Sequence, residues 1–60
     1  MTVREYIDDH PLASVTVYSY NAEVNDWENE WDDNHERVMD ATIADINSDS
    51  TTGEVYLDIF

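Results

Sequence analysis

The sequence predicts an α+β fold, a small antiparallel sheet of about four strands with one or two short helices packed on one face, in the order α-β-β-α-β-β. Three observations lead there. The N-terminus carries a helix-start signature, several later blocks alternate with a period of two, and the single Gly and single Pro fall at block boundaries. Sixty residues allow one domain, covering 1–60.

Thr2-Val3-Arg4-Glu5 is a T-x-x-E pattern, in which the Thr hydroxyl and the Glu carboxylate each satisfy a free backbone N–H at a helix start. The helix is expected to run to Asp9, because Pro11 disfavours helical geometry at His10. Val3, Tyr6 and Ile7 share its apolar face. Ser14 to Tyr20 is β-branched and aromatic and reads as a strand, with Val15 and Val17 on one side and Thr16, Tyr18 and Tyr20 on the other.

A turn at Asn21-Ala22 leads into Glu23 to Trp31, which has two readings. As a strand it puts Asp26, Glu28, Glu30 and Asp32 on one face and Trp27 and Trp31 on the other. As a helix it sets Asp26/Glu30, Glu28/Asp32 and Asp32/Glu36 at like-charged i,i+4 spacing, each costing a few tenths of a kcal/mol, so the strand is preferred. Asp33 and Glu36 form a second capping pair for a helix through Val38 and Met39. Ala41 to Asn47 returns to strand, Ser48 to Gly53 is a turn-rich loop, and Glu54 to Phe60 is a cleanly alternating strand with Val55, Leu57 and Ile59 facing the core.

Charge is the functional clue. Fifteen carboxylates face two arginines and no lysine, a formal net charge of −13 at pH 7. Self-repulsion of this size weakens the compact state, which points to a gain outside stability: a basic partner. A 7.0 kDa domain exposes about 4,000 Å², or about one net charge per 300 Å², against about one per 120 Å² on duplex DNA. Uniform spreading is too dilute to imitate nucleic acid. Glu23 to Glu36, however, holds seven carboxylates (Glu23, Asp26, Glu28, Glu30, Asp32, Asp33 and Glu36) and no basic residue. Those seven, with Trp27 and Trp31, are the candidate partner-binding residues. The plainer readings are a solvated acidic face, adaptation to high salt, and tryptophans that fill the core. Against the first, solubility of a small domain needs a net charge of only about 2 to 8.

A chain of this length buries only about 60% of its unfolded surface, and with no Cys it has neither a disulfide nor a structural zinc cluster to support it. Packing or a second subunit, as in a homodimer, must stabilise it. No cationic and apolar signal region opens the chain and no apolar run reaches the roughly 20 residues that span a bilayer, so a cytoplasmic protein without membrane contact is expected. No enzyme, cofactor or metal is expected. Asp26-x-Glu28-x-Glu30 begins like a calcium loop, but Trp31 stands where Gly is needed and Arg37 where the bidentate Glu belongs. His35-Glu36 has Met39 at the position of a zincin's second His. His10 reads as a boundary residue, and one Gly cannot build a phosphate-binding loop.

The opening Met1-Thr2-Val3-Arg4-Glu5-Tyr6-Ile7, with Val15-Thr16-Val17-Tyr18-Ser19-Tyr20 and Val55-Tyr56-Leu57-Asp58-Ile59, resembles small, largely uncharacterised proteins of Gram-positive phages and mobile elements. In size and charge the chain is similar to phage-encoded DNA mimics: uracil-DNA glycosylase inhibitors, anti-restriction proteins and anti-CRISPR proteins. The resemblance implies an inhibitor acting in the cytoplasm of the host bacterium. Its partner would be a basic nucleic-acid-binding protein, foremost a CRISPR nuclease, then a restriction enzyme or DNA glycosylase, and not nucleic acid itself. The alternative is a structural or regulatory interaction module with a solvated acidic surface.

Clustered carboxylates repel in the folded state, and salt screens that repulsion. The urea midpoint is therefore expected to rise as NaCl is raised to moderate levels; a falling midpoint would count against a clustered acidic surface.

Overall fold

Thr2 caps the first helix as its sequence pattern requires. In the computed structural model, which describes residues 1–60, α1 (Val3–Asp9) starts with the Glu5 N–H donating to Thr2 Oγ1 at 3.3 Å and the Thr2 N–H donating to Glu5 Oε1 at 2.9 Å. The bonds from the Thr2 backbone and hydroxyl hold the Glu5 carboxyl below its ordinary pKa. At the other end the His10 N–H returns to Tyr6 and Ile7 carbonyls, and its ring stacks on Tyr6 with centroids 4.3 Å apart. Pro11 follows and the helix stops.

The sheet contains β1 (Ser14–Ser19), β2 (Ala22–Glu23), β3 (Ile43–Ser48) and β4 (Glu54–Ile59), with α2 (Asp33–Met39) between β2 and β3. Spatial order is β2-β1-β4-β3. The α+β class and the element order agree with the sequence. Both outer pairs are antiparallel, but the central pair, β1 with β4, is parallel from Ser14↔Glu54 to Ser19↔Ile59, so the sheet is mixed. Chain path explains this: α2 carries the chain from one edge, β2, to the opposite edge, β3, and the hairpin back delivers β4 into the centre beside β1. The two strands richest in β-branched and aromatic residues thereby gain two neighbours each.

Both helices cover one face. Val3 and Tyr6 of α1 and Val38 of α2 meet Val17 of β1 and Val55, Leu57 and Ile59 of β4 in one cluster, which Trp27 completes. Only eight residues are buried in all, and none of them is charged. The core is as thin as the length implies. A strap from the N-terminus seals one end, with the Val3 N–H donating to Ala41 O at 3.1 Å and the Ile43 N–H to Met1 O at 2.9 Å.

Several boundaries differ from expectation: β3 is Ile43–Ser48 and not Ala41 to Asn47, because Ala41 and Thr42 pair with the N-terminal strap and Ser48 still pairs with Val55. The hairpin turn is Tyr20-Asn21 instead of Asn21-Ala22, and both residues have positive φ, 53° and 65°, as the tight two-residue hairpin turn requires. The expected strand from Glu23 to Trp31 ends at Glu23, because Asp26 adopts φ 62° and turns the chain out of the sheet. The second helix is capped by Asp32, whose carboxylate accepts from Asn34 N–H at 2.8 Å, and not by an Asp33/Glu36 pair. The β3 edge is protected by a register shift between Ile43 and Asp45 and by the Asp45 carboxylate, which takes the Ile46 N–H at 3.0 Å. No helix is long and apolar enough to cross a membrane.

Leu57 is 0% exposed at the centre of this core. Leu57→Ala should cost about 3 kcal/mol, while a chain of this length is stable by about 3 to 9 kcal/mol in all. A urea titration followed by tryptophan fluorescence should show a large fall in midpoint; a small one would mean that the core collapses around the gap.

Candidate functional site

The segment between β2 and α2 is a chain of tight turns. Asn29 N–H donates to Asp26 O at 3.1 Å, Asp32 N–H to Asn29 O at 2.9 Å, and His35 N–H to Asp32 O at 3.1 Å. Side chains reinforce it: Asn29 Oδ1 accepts from Trp31 N–H at 3.0 Å, and His35 Nδ1 lies 2.8 Å from Trp27 O. A carbonyl can only accept, so His35 carries its proton on Nδ1. The loop is thus tied both to itself and to α2.

These bonds separate the two tryptophans. Trp27 is 7% exposed and packs in the core, whereas Trp31 is 93% exposed at the loop surface. Strand alternation would have put both rings on one side; the turns bury one and expose the other. In the same segment Asp26, Glu28, Glu30 and Asp33 are exposed, with Asp32 half-buried at the cap. No basic residue interrupts the loop. Of the two arginines, Arg4 is bound to Glu36 at 3.1 Å and Asp40 at 3.3 Å, and Arg37 donates to Asn34 Oδ1 at 3.3 Å.

Four of the seven expected carboxylates, Asp26, Glu28, Glu30 and Asp32, therefore share one loop, Asp33 opens α2 directly after it, and Glu36 and Glu23 lie on the flanking elements. Glu36 sits on α2 with its charge paired to Arg4. Glu23 lies in β2 opposite Tyr18, which turns it toward the uncovered face of the sheet. It still borders the start of the loop, lining a shallow concavity of about 320 Å³ with Asp26, Trp27 and Glu28, while on the helix-covered side Trp27 and Glu28 border a cleft of about 390 Å³ with Ile7, Val15, His35 and Met39. No group of three or more acidic or histidine side chains converges closely enough to hold a metal ion.

A second acidic surface, not evident from the sequence, lies on the sheet. On the uncovered face the register aligns Glu23, Tyr18, Asp58 and Asp45 across all four strands, with Tyr56 and Asn47 in the adjacent row. Its signal was present in β4, where Glu54, Tyr56 and Asp58 alternate with the core residues. Only the strand order shows which other residues join them.

No protein-family model, curated protein or solved structure matches this chain, and function must be argued from these residues.

The Tyr56 hydroxyl donates to Glu54 Oε2 at 2.6 Å. That bond, helped by partial burial and by the charges of Glu54 and Asp49, pushes the Tyr56 phenol from 10.0 up to about 12. A folded-state value above the unfolded one means that the stabilisation is complete below pH 10 and is lost as pH rises toward 12. Alkaline difference absorbance should show one phenol titrating near pH 12, and Tyr56→Phe should delete that step. Persistence of the step in the variant would assign it to another tyrosine.

Proposed function

We propose that the protein is an inhibitor that counterfeits the charge of nucleic acid and occupies the DNA- or RNA-binding site of a bacterial defence or repair protein, a CRISPR nuclease foremost. Support comes from the segment Asp26 to Asp33, which carries five carboxylates and an exposed Trp31 with no cation among them. Each of the two turns brings its end Cα atoms within about 7 Å, so Asp26, Glu28, Glu30 and Asp32 lie along at most about 14 Å. One strand of duplex DNA places about four phosphates in that length. Averaged over the whole molecule, 4269 Å² shared by a net charge of −13 gives only about one charge per 330 Å². The local density is what approaches that of nucleic acid.

The mechanism is competitive. The loop carboxylates pair with Lys and Arg side chains that otherwise hold phosphates, and Trp31 enters a slot where a base stacks, supplying the desolvated contact that salt does not screen. Turns closed by hydrogen bonds reduce the ordering cost of association. Attraction at long range makes binding fast and salt-sensitive. Restriction enzymes and uracil-DNA glycosylases present the same kind of cationic groove and follow as targets.

The test is inhibition of a purified guide-loaded CRISPR nuclease, a restriction enzyme and a uracil-DNA glycosylase. Activity of at least one should fall as the protein is added and recover with excess substrate DNA. Trp31→Ala should weaken inhibition by about 30-fold, equivalent to about 2 kcal/mol, with an unchanged urea midpoint. The triple change Asp26→Asn, Glu28→Gln, Glu30→Gln should weaken it and flatten its salt dependence. Binding that DNA does not displace would instead favour an interaction module docking away from any nucleic-acid site.

A further inference from the structure

The uncovered face of the sheet has its own chemistry, separate from the loop. Tyr18 and Tyr56 lie on neighbouring strands with ring centroids 6.1 Å apart and planes inclined at 50°. Together with Asn21, Asn47 and Asp58 they line a concavity of about 470 Å³. Glu23 and Asp45 extend the row that passes through Tyr18 and Asp58. Neither arginine stands on this face, since Arg4 belongs to α1 and Arg37 to α2, across the sheet.

We propose that this face is a second docking surface, which takes an arginine side chain from a basic protein partner into the concavity between Tyr18, Tyr56 and Asp58. A guanidinium is planar and forked, so it can lie against a tyrosine ring while its N–H groups reach a carboxylate. Two inclined rings beside one carboxylate offer both contacts, and the amide oxygens of Asn21 and Asn47 add acceptors at the rim. A lysine ammonium satisfies only the charge. Phosphate-bearing ligands are repelled by the carboxylate row. A second copy of this chain is a poor occupant, because Arg4 is already bound to Glu36 and Asp40 and two chains of charge −13 repel. The assignment holds whether or not the loop imitates nucleic acid.

Nitrogen-15 NMR titration of the full chain with a short Arg-Gly repeat peptide, and with its Lys-Gly counterpart, tests this. The arginine peptide should shift the Tyr18, Tyr56 and Asp58 amides saturably and bind at least about threefold more tightly than the lysine peptide. Asp58→Asn should weaken it about tenfold, while Glu28→Gln with Glu30→Gln should leave those shifts in place. Equal affinities with shifts scattered over every acidic segment, or shifts confined to Asp26 to Asp33, would overturn the assignment. Should Asp58→Asn fail to fold, the arginine-to-lysine ratio and shift map of the unaltered chain decide.

Discussion

The parallel pairing of β1 with β4 is the contact on which the other elements depend. Its inward residues, Val17 and Leu57, are fully buried, and every other core residue packs around them: α1 through Val3 and Tyr6, α2 through Val38, the loop through Trp27. This small apolar centre must hold against a net charge of −13. The chain manages it by leaving nearly all the charge in water and the core free of it. Its few ionic contacts are exposed, as with Arg4 between Glu36 and Asp40, and add little to stability.

Burial of Trp27 links the fold to the proposed function. The ring anchors the loop in the core, the His35 ring is bonded to the Trp27 carbonyl, and the turns from Asp26 to Asp32 thus have a fixed base from which to present Trp31 and the carboxylates. A flexible acidic segment would carry the same charge but would lose conformational freedom on binding. The same division of labour runs through the sheet. One face is committed to the core, which leaves Tyr18, Tyr56 and Asp58 half-buried on the other, free for the proposed docking.

The sequence was most legible where local chemistry is sufficient. The T-x-x-E box at Thr2, the stop before Pro11, the alternation in β4 and the β-branched run of β1 each act within a few residues, and each forms where its pattern stands. It was least legible between Glu23 and Trp31. There a period of two fits the charges equally well whether they lie along a strand or around consecutive turns, and the deciding feature is the positive φ of Asp26, a conformation that Asp tolerates but does not announce. The cap at Asp32 was missed for a related reason. Adjacent aspartates at positions 32 and 33 both suit the role, and the one that caps is selected by where the preceding turn ends.

By itself, then, the sequence determined the ends of the first helix, the strands with a strict alternation, and the sign and local concentration of charge, because these follow from neighbours in the chain. Tertiary structure alone decided that β4 lies parallel to β1, that Trp27 goes inward and Trp31 outward, and that Glu23 and Asp58 share the uncovered face of the sheet. Those outcomes depend on the path of the chain over the sheet and on competition for a very small core, which no short window of residues contains.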